Sequence, residues 1–316
     1  MTAKPTIPRP KVLYVLGAPF SGSTLFAAAL GTSRGYLNLG EVNFIENDWY
    51  DEKKCSCGHT IVDCVIWGKV KRTLGADANT WDFSFSDGTR SRKLDGRSAS
   101  AHQKAFYFVG LPLDFTFGRK VVQDYACFYE RFYEALYNAF DQNVLVDCSK
   151  SSPRLEALNT HDAADLFVVY LKRRPEMVFA SRIKRAKRRN RAYISAMSFF
   201  YGFWLLYHLR FARRCLSHLD ERNVIEVDYE EFCQDPLAVT KRLGKWLGRP
   251  IDIAVLEPDL LDLSGSHVFT GNAWLTKGKS EVVKLRRPED NTGLTGIEKQ
   301  AERFAVGLCR IFGVRW

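Results

Sequence analysis

The chain has 316 residues, of which 46% are hydrophobic and 26% charged, a globular composition that excludes a globally disordered protein. It contains no apolar run of about 18 residues, which predicts no transmembrane helix. Its first residues lack the apolar core of a secretory signal, so a cytoplasmic location is expected. The formal net charge of +10 favours an anionic ligand, and part of it is concentrated in residues 182–191.

The first predicted element is a strand over Val12–Leu16, which leads through a short loop into a predicted helix over Ser23–Leu30. Residues Gly17–Thr24 fit the phosphate-binding P-loop pattern except at one position, where Ser23 replaces the lysine. That lysine normally reaches the β- and γ-phosphates of a nucleoside triphosphate. The loop N–H groups, Gly22 and the helix N-terminus therefore predict a phosphate site for a nucleotide that lacks these groups.

Further predicted strands and helices alternate along the chain. Short apolar runs predict strands over 144–146, 166–171 and 224–227, and helical patterns predict helices over 128–140, 176–187, 193–219, 236–247 and 297–312. This alternation predicts an α/β fold: a single domain over residues 1–316 with a central, mostly parallel sheet flanked by helices. Loop-rich insertions are expected at about 50–100 and 260–296. Because ligands of such sheets bind beyond the carboxyl ends of the strands, the polar residues there are expected to converge.

A second phosphate site is predicted after the strand over 166–171. Arg173 follows this strand, and Ser181 lies about two turns into the next predicted helix. An arginine fork and a hydroxyl can bind one phosphate together. Basic residues at a helix start oppose the helix dipole, so an anion site explains Arg173 better than a plain basic helix start does.

In their order along the chain, several segments resemble motifs of sulfotransferases that use 3'-phosphoadenosine 5'-phosphosulfate (PAPS). Gly17–Leu25 (GAPFSGSTL) resembles the loop that binds the 5'-phosphosulfate, and Arg173–Ser181 (RRPEMVFAS) resembles the motif that binds the 3'-phosphate. Three further segments are similar to other recurring motifs of this family: Asp147–Pro153 (DCSKSSP), Val227–Phe232 (VDYEEF) followed by Pro236 and Leu247-Gly248, and His267–Asn272 (HVFTGN).

The resemblance implies a P-loop NTPase-like sulfotransferase fold. It also implies in-line transfer of a sulfuryl group from PAPS to a hydroxyl of a small molecule or carbohydrate. By the same resemblance, Glu41 is the general base and Lys150 stabilises the transition state. The implied donor site consists of Pro19, Phe20, Ser21, Gly22, Ser23, Thr24, Leu25, Arg173, Ser181, Tyr229, Gly271 and Asn272. No metal is required for this transfer, and no nucleic-acid or membrane partner is expected.

Two positions depart from the family pattern. Sulfotransferase loops usually carry Lys or Arg just before the Ser-Gly pair, where this chain has Phe20. A cation beside the transferred group must then come from elsewhere, and Lys150 is the candidate. An arginine often follows the late Gly-Asn pair, where this chain has Ala273; Lys277 or Lys279 could take its place.

Several features also allow a structural interpretation. Glu41 suits the N-terminus of a helix, where a carboxylate offsets the dipole, and Lys150 suits a solvated position after a strand. Cys55, Cys57, His59 and Cys64 lie within ten residues and could bind zinc as four ligands; alternatively, the three cysteines remain buried thiols or form a disulfide. Six aromatic residues could line an acceptor pocket or belong to the core: Tyr107, Phe108, Phe115, Phe117, Trp204 and Tyr207.

Three other functions stay open from the sequence. One is a P-loop kinase with a degenerate loop, for which Asp147 after the strand over 144–146 is a possible magnesium ligand. Another is a protein that binds the nucleotide but has lost turnover, which the loss of a cation at Phe20 would explain. The third is a polyanion-binding protein that uses residues 182–191, although this run lacks the interleaved aromatic residues of a base-stacking surface. The identity of the acceptor and the oligomeric state have no sequence signal.

Overall fold

The computed structural model describes residues 9–74, 101–140, 144–188, 194–257, 260–270, 282–285 and 293–313. Its central sheet has five strands: β1 (Lys11–Leu16), β2 (Tyr36–Gly40), β3 (Val144–Asp147), β4 (Asp165–Lys172) and β5 (Val224–Asp228). Their order across the sheet is β2-β3-β1-β4-β5, and every neighbouring pair is parallel. The predicted α/β fold with a mostly parallel sheet is therefore confirmed.

Twelve described helices accompany the sheet. They are α1 (Ser23–Leu30), α2 (Ile45–Asp48), α3 (Trp67–Leu74), α4 (Ala101–Phe108), α5 (Leu113–Phe117), α6 (Arg119–Ala139), α7 (Ser152–Thr160), α8 (Pro175–Lys187), α9 (Ile194–Leu216), α10 (Tyr229–Gln234), α11 (Pro236–Leu247) and α12 (Gly296–Ile311). Among the described residues, no helix combines the length and the apolar character needed to cross a membrane.

The sheet is covered on both faces, as parallel sheets usually are. Along the central strand β1, Val12 and Tyr14 pack into one hydrophobic cluster, while Leu13 and Val15 pack into another on the opposite face. All four side chains are fully buried. Alternate residues of one strand thus serve two cores, which explains why the strand reads as an unbroken apolar run.

Local sequence signals define both ends of α11. Asp235 accepts a hydrogen bond from the N–H of Ala238 at 2.9 Å and caps the start of α11, and Gly248 ends this helix with a left-handed φ of 70°. The predicted bounds of α1 and α11 agree with the structure. In contrast, α6 begins at Arg119 rather than at residue 128, because its buried face continues through Val122 and Tyr125.

Strand β2 has no counterpart among the predicted strands. It is short and fully buried, and the polar residue Asn38 in its centre interrupts the apolar run. The side-chain oxygen of Asn38 accepts a hydrogen bond from the N–H of Gly40 at 3.0 Å, while its buried side-chain nitrogen has no hydrogen-bond partner among the described residues. The strand matters for the site because it brings Glu41 to the carboxyl edge of the sheet.

The two segments expected to be loop-rich contain some regular structure where they are described. Helix α3 lies in the first segment. A second, antiparallel sheet is formed by β6 (Val255–Glu257), β7 (Leu260–Asp262) and β8 (Val282–Lys284), of which the last two lie in the second segment. Strands of three residues are too short to show a clear alternation of apolar and polar positions, so pattern analysis misses them.

Candidate active site

The five parallel strands end at one edge of the sheet, and candidate residues follow each of them. The sequence predicted this convergence for the four strands that it identified, and the fifth strand extends it. The predicted phosphate-binding loop follows β1, Glu41 follows β2, Lys150 lies shortly after β3, Arg173 follows β4, and Tyr229 follows β5.

The loop after β1 adopts an unusual backbone. Phe20 and Gly22 have positive φ values of 75° and 89°. A side chain at position 22 would place its Cβ 2.1 Å from a ring carbon of Tyr229, so only glycine fits there. Gly22 immediately precedes α1 and has no side chain that could cap the first N–H groups of this helix. The hydroxyl of Ser21 is buried and has no hydrogen-bond partner among the described residues. An unpartnered hydroxyl beside an uncapped helix N-terminus is the arrangement expected of an anion-binding loop.

Arg173 joins the two predicted phosphate sites. Its Nη1 donates a hydrogen bond to the carbonyl oxygen of Phe20 at 2.7 Å and lies 3.5 Å from the hydroxyl of Ser181. Its guanidinium carbon lies 4.9 Å from the ring centroid of Tyr229. The buried Nε of Arg173 has no hydrogen-bond partner within the part of the chain that the structure describes. Arg173 is therefore in contact with the predicted donor loop, with Ser181 and with Tyr229.

Two arginines of α8 lie beside Phe20, the residue that replaces the usual cation of the loop. The guanidinium carbons of Arg182 and Arg185 lie 5.9 and 5.8 Å from the Phe20 ring centroid. Trp204 of α9 contacts the same ring edge-on, with centroids 6.1 Å apart. From the sequence, these arginines belong only to the basic run 182–191. A signal for Arg185 was available, because it lies four residues after Ser181 on one helix and therefore shares a helix face with it.

Lys150 and Glu41 form an ion pair at the same edge. The Lys150 Nζ lies 2.8 Å from Glu41 Oε1, and the side chains are only 12% and 16% exposed. Lys150 has a positive φ of 63°. The turn before α7 is fixed to β1, since the Tyr14 hydroxyl donates to the Ser151 carbonyl at 2.9 Å and accepts from the Ser151 N–H at 3.1 Å. The solvated position considered for Lys150 is wrong, because its side chain is largely buried. Glu41 does stand at the N-terminus of a short 3₁₀ helix, although its side chain makes no hydrogen bond to the helix start.

The pKa of Lys150 is raised above its ordinary value. Desolvation by burial lowers it, but the negative charges of Cys148, when it ionises at alkaline pH, and of the Glu41 carboxylate raise it by more. The ammonium group is therefore charged throughout the physiological pH range. Burial raises the pKa of Cys148 to about 11, which keeps this thiol neutral.

A buried network supports the turn that carries Lys150. Asp147 and Arg154 are fully buried, and Arg154 Nη2 donates to Asp147 Oδ2 at 2.8 Å. The Tyr133 hydroxyl and the Ser149 N–H donate to the two carboxylate oxygens, and Arg154 Nη1 donates to the Tyr125 hydroxyl at 2.7 Å. Asp147 thus has both oxygens engaged and its charge compensated by Arg154. This arrangement does not suit a magnesium ligand, as the kinase hypothesis would require.

The segment 266–270 packs against the end of β2. Thr270 Oγ1 donates to the carbonyl oxygen of Glu41 at 3.3 Å. A Cβ at Gly40 would lie 2.7 Å from a side-chain carbon of Val268, so the two segments are in close contact. The predicted nucleotide residues Gly271 and Asn272 follow directly but lie outside the described residues, as do positions 273, 277 and 279.

The aromatic residues considered for an acceptor pocket occupy different environments. Tyr107 and Phe117 are buried in the core, and Phe115 is exposed on the surface. Trp204 alone among those with described contacts touches a residue of the predicted donor loop, through Phe20. For Tyr107 and Phe117 the core interpretation is therefore confirmed. The side chain of Phe108 lies outside the described residues.

Comparison with known proteins identifies the fold. No protein-family model and no curated protein sequence matches the chain. The sulfotransferase domain of the olefin synthase from Synechococcus PCC 7002 is similar over 100% of this chain and 99% of that domain, with a TM-score of 0.52 and 15% identity. This similarity shows that the chain has the fold of a sulfotransferase domain, and it confirms the resemblance drawn from the sequence at the level of the fold.

Weaker similarity extends to other sulfotransferase structures. The sulfotransferase domain from the curacin biosynthetic pathway aligns over 96% of this chain and 98% of that chain, with a TM-score of 0.48 and 15% identity. The sulfotransferase STF9 from Mycobacterium avium aligns over 98% of this chain and 78% of that chain, with a TM-score of 0.48 and 14% identity.

Proposed function

We propose that this chain is a sulfotransferase that moves a sulfuryl group from PAPS to a hydroxyl of a small molecule or carbohydrate. The observation that carries the proposal is the 2.7 Å hydrogen bond from Arg173 to the Phe20 carbonyl. It places the arginine–serine pair directly beside the phosphate-binding loop. Two phosphate sites in contact suit a nucleotide that carries phosphates on both sides of one ribose.

The chemistry of the site fits this donor. The buried Ser21 hydroxyl and the buried Arg173 Nε are hydrogen-bond donors that have no partner among the described residues. Leaving buried donors unsatisfied costs about 1–3 kcal/mol each, so a ligand that accepts from them would be favoured. In this proposal the loop and the start of α1 hold the 5'-phosphosulfate, and Arg173 with Ser181 holds the 3'-phosphate.

The donor supplies an activated sulfuryl group, and the remaining tasks fall on the protein. Glu41 accepts the proton of the acceptor hydroxyl as the new oxygen–sulfur bond forms, while the bond from sulfur to the 5'-phosphate oxygen of PAPS breaks and 3',5'-adenosine bisphosphate leaves. The charged Lys150 stabilises the negative charge that develops on the transferred and leaving oxygens. Arg182 and Arg185 add positive charge beside Phe20, where the loop itself has none. Since no β/γ-phosphate pair has to be bridged, the transfer needs no metal ion.

The other functions receive less support. A kinase would lack both the loop lysine, replaced by Ser23, and a free carboxylate at Asp147. A polyanion-binding protein would use residues 182–191, but Arg182 and Arg185 contact Phe20 of the donor loop. A protein that binds the nucleotide without turnover shares the same site, and only an activity measurement separates it from an enzyme.

Thermal unfolding with the product nucleotide tests donor binding. We expect 3',5'-adenosine bisphosphate to raise Tm by several degrees without added Mg²⁺, since ligand at about 100-fold excess over Kd stabilises by about 2.7 kcal/mol. Arg173→Ala should abolish the shift. Arg174→Ala, which removes the same charge from the exposed neighbouring position, should preserve it. Stabilisation by ATP–Mg²⁺ without a response to the bisphosphate would contradict the proposal.

An activity screen tests the transfer itself. Labelled PAPS is incubated with carbohydrate, phenolic, lipid and natural-product alcohols, and labelled products are separated. Transfer to any of these classes establishes the enzyme and its acceptor. Binding of the bisphosphate without transfer to any class would instead identify a protein that has lost turnover.

A further inference from the structure

Three cysteines and one histidine form a compact cluster in the part of the chain that the structure describes. The ligand atoms of Cys55, Cys57, Cys64 and His267 all lie within 4.8 Å of one another. The Sγ atoms of Cys55 and Cys64 are 3.7 Å apart, and Cys64 Sγ lies 3.3 Å from His267 Nδ1. The three cysteines are free thiols in the structure. The sequence predicts His59 as the fourth ligand, and this prediction is wrong: His59 is exposed, and His267, 203 residues from Cys64, lies in the cluster instead.

Two of the distances between these atoms, 3.7 and 3.3 Å, are close to those between neighbouring ligands of a zinc ion, and the others do not exceed 4.8 Å. A tetrahedral zinc ion has Zn–S bonds of about 2.3 Å and Zn–N bonds of about 2.0 Å, so neighbouring ligand atoms are about 3.5–3.8 Å apart. Three thiolates and one imidazole are a common donor set for structural zinc, and soft sulfur ligands select against magnesium and calcium. We propose that Cys55, Cys57, Cys64 and His267 bind a structural zinc ion.

Backbone hydrogen bonds form a tight turn around the cysteines. The Cys55 N–H donates to the His59 carbonyl at 2.9 Å, and the Gly58 N–H donates to the Cys55 carbonyl at 3.0 Å. Gly58 has a φ of 89°, which closes a tight turn after Cys57. The Cys64 N–H donates to the Thr60 carbonyl at 2.8 Å. Such a turn presents several side chains to one point without further rearrangement.

Outer contacts hold the histidine segment in the same place. Trp67 Nε1 donates to the carbonyl oxygen of His267 at 2.8 Å. The Ser56 N–H donates to the Val268 carbonyl, and the Ser56 hydroxyl accepts from the Val268 N–H, both at 2.8 Å. Phe269 packs edge-on against Trp67, with ring centroids 4.5 Å apart. Contacts of this kind orient metal ligands and restrict the access of water to the ion.

A disulfide explains the cluster less well. A bond between Cys55 and Cys64 would require their sulfur atoms to approach from 3.7 Å to about 2.05 Å. It would also leave Cys57 and His267 without a role. Four protein ligands complete a tetrahedral shell, so the site has no open position for catalysis. The ion would therefore stabilise the fold, and it would not contradict the expectation that sulfuryl transfer needs no metal.

The proposed ion would link the cysteine segment 55–64 to segment 266–270, which packs against the end of β2 beside Glu41. His267 and Val268 lead into Thr270, whose hydroxyl donates to the Glu41 carbonyl. Linking segments separated by 203 residues constrains the unfolded chain strongly, so the stabilisation should be large. Zinc would thus fix the segment that contacts the strand end before the proposed general base, Glu41. The zinc proposal itself does not depend on the proposed function.

Metal analysis of the full chain tests this proposal without any nucleotide. Protein from zinc-supplemented, reducing medium should contain about one zinc ion per chain, and X-ray absorption should show about three sulfur ligands and one nitrogen ligand. Cobalt substitution of the wild-type protein should give the intense visible spectrum of a tetrahedral thiolate site. Both wild-type measurements stand even where a variant fails to fold.

Variants locate the ion. Cys55→Ser combined with Cys64→Ser should lower zinc content at least about tenfold. Cys127→Ser, which removes an exposed cysteine elsewhere, should leave it unchanged. Wild-type protein with less than about a tenth of an equivalent of zinc, a disulfide between Cys55 and Cys64, or full zinc content in the double variant would overturn the proposal. Because bisphosphate binding is measured separately, failure here leaves the proposed sulfotransferase function untouched, and the reverse also holds.

Discussion

The ammonium of Lys150 lies 2.8 Å from the carboxylate of Glu41, although the two residues follow different strands of the sheet. Both side chains are largely withdrawn from water, so each charge compensates the other. Lys150 reaches this position through a left-handed backbone conformation, with a φ of 63°. Non-glycine residues keep such conformations only when the surrounding structure holds them, and they are often found at functional sites.

The first prediction concerns this pair. Lys150→Met should lower kcat about 100-fold or more, because the fixed positive charge at the transferred group is lost. Glu41→Gln should lower kcat by a similar factor, because no carboxylate accepts the proton. Bisphosphate affinity should change much less in both variants. Steady-state kinetics with PAPS and calorimetric titration with the bisphosphate measure the two quantities.

A second lysine–carboxylate pair provides the control. Lys53 Nζ lies 2.6 Å from Asp48 Oδ1, and the exposed fractions of the side chains are 22% and 19%. Lys53→Met removes a similarly enclosed lysine without touching the proposed site, so kcat should be preserved. Wild-type turnover in either Lys150→Met or Glu41→Gln would remove that residue from the mechanism.

The second prediction concerns Gly22. In Gly22→Ala the new Cβ would meet the Tyr229 ring at 2.1 Å, and the residue would also keep a strained φ of 89°. We expect a loss of about 2–4 kcal/mol in the free energy of unfolding, together with loss of bisphosphate binding. Gly248→Ala has a comparable φ of 70° but open space around the new Cβ. It should lose only about 1 kcal/mol.

Removing the ring isolates the clash. In a Tyr229→Ala background, Gly22→Ala should cost about as much as Gly248→Ala does, as measured by urea unfolding. Equal losses for the two glycine variants in the wild-type background would show that backbone strain alone accounts for the effect.

Local patterns predicted the parts of the site that one segment builds. The strand–loop–helix unit over 12–30 is encoded by an apolar run, a glycine-containing loop and a helix, so its bounds could be predicted from neighbouring residues. The convergence of residues after several strands followed from the general rule for parallel sheets. Lys150 and Glu41 were predicted separately through the family resemblance, and the structure adds their contact.

Contacts that depend on the packing of distant segments could not be predicted from the sequence. Nothing in the segment around His267 indicates that its ring lies 3.3 Å from Cys64, because the contact depends on how distant loops pack. For Arg185, the spacing from Ser181 predicts a shared helix face, but only the packing of α8 shows that Arg182 and Arg185 lie beside Phe20. Strand β2 was missed because Asn38 interrupts its apolar run, and its backbone is stabilised by pairing with β3.

The third prediction concerns Arg154, which is fully buried against Asp147. Arg154→Met leaves the buried Asp147 carboxylate without its compensating charge, so the free energy of unfolding should fall by about 3–5 kcal/mol. Adding Asp147→Asn should recover part of this loss, because a neutral amide costs less to bury than an unpaired carboxylate. Urea unfolding measures both variants.

An exposed ion pair serves as the comparison. Arg222 pairs with Asp220 at the surface, where the side chains are 88% and 45% exposed. Arg222→Met should leave the unfolding transition unchanged, because water screens this pair. If Arg154→Met were as stable as Arg222→Met, the buried network would have no role in supporting the turn that carries Lys150.

The last prediction concerns the pH dependence of stability and His208. Burial and then the positive charge of Arg182 lower the pKa of His208 to about 4 in the folded protein, where its ring lies 4.7 Å from that of Trp204. In the unfolded chain the pKa returns to about 6.5, so between pH 6.5 and 4 the unfolded state binds a proton that the folded state does not. The free energy of unfolding therefore falls with acidification by about 1.4 kcal/mol per pH unit from this residue alone, and by at most about 3.4 kcal/mol in total.

Carboxylates contribute to the same acid limb, so the difference between variants isolates the histidine. Urea unfolding at several pH values between 7.5 and 4.5 should give a shallower acid slope for His208→Gln than for the wild-type protein. His102→Gln, which replaces an exposed histidine, should keep the wild-type slope. Parallel slopes for the wild-type protein and His208→Gln would mean that the histidine is protonated in the folded state as readily as in the unfolded chain.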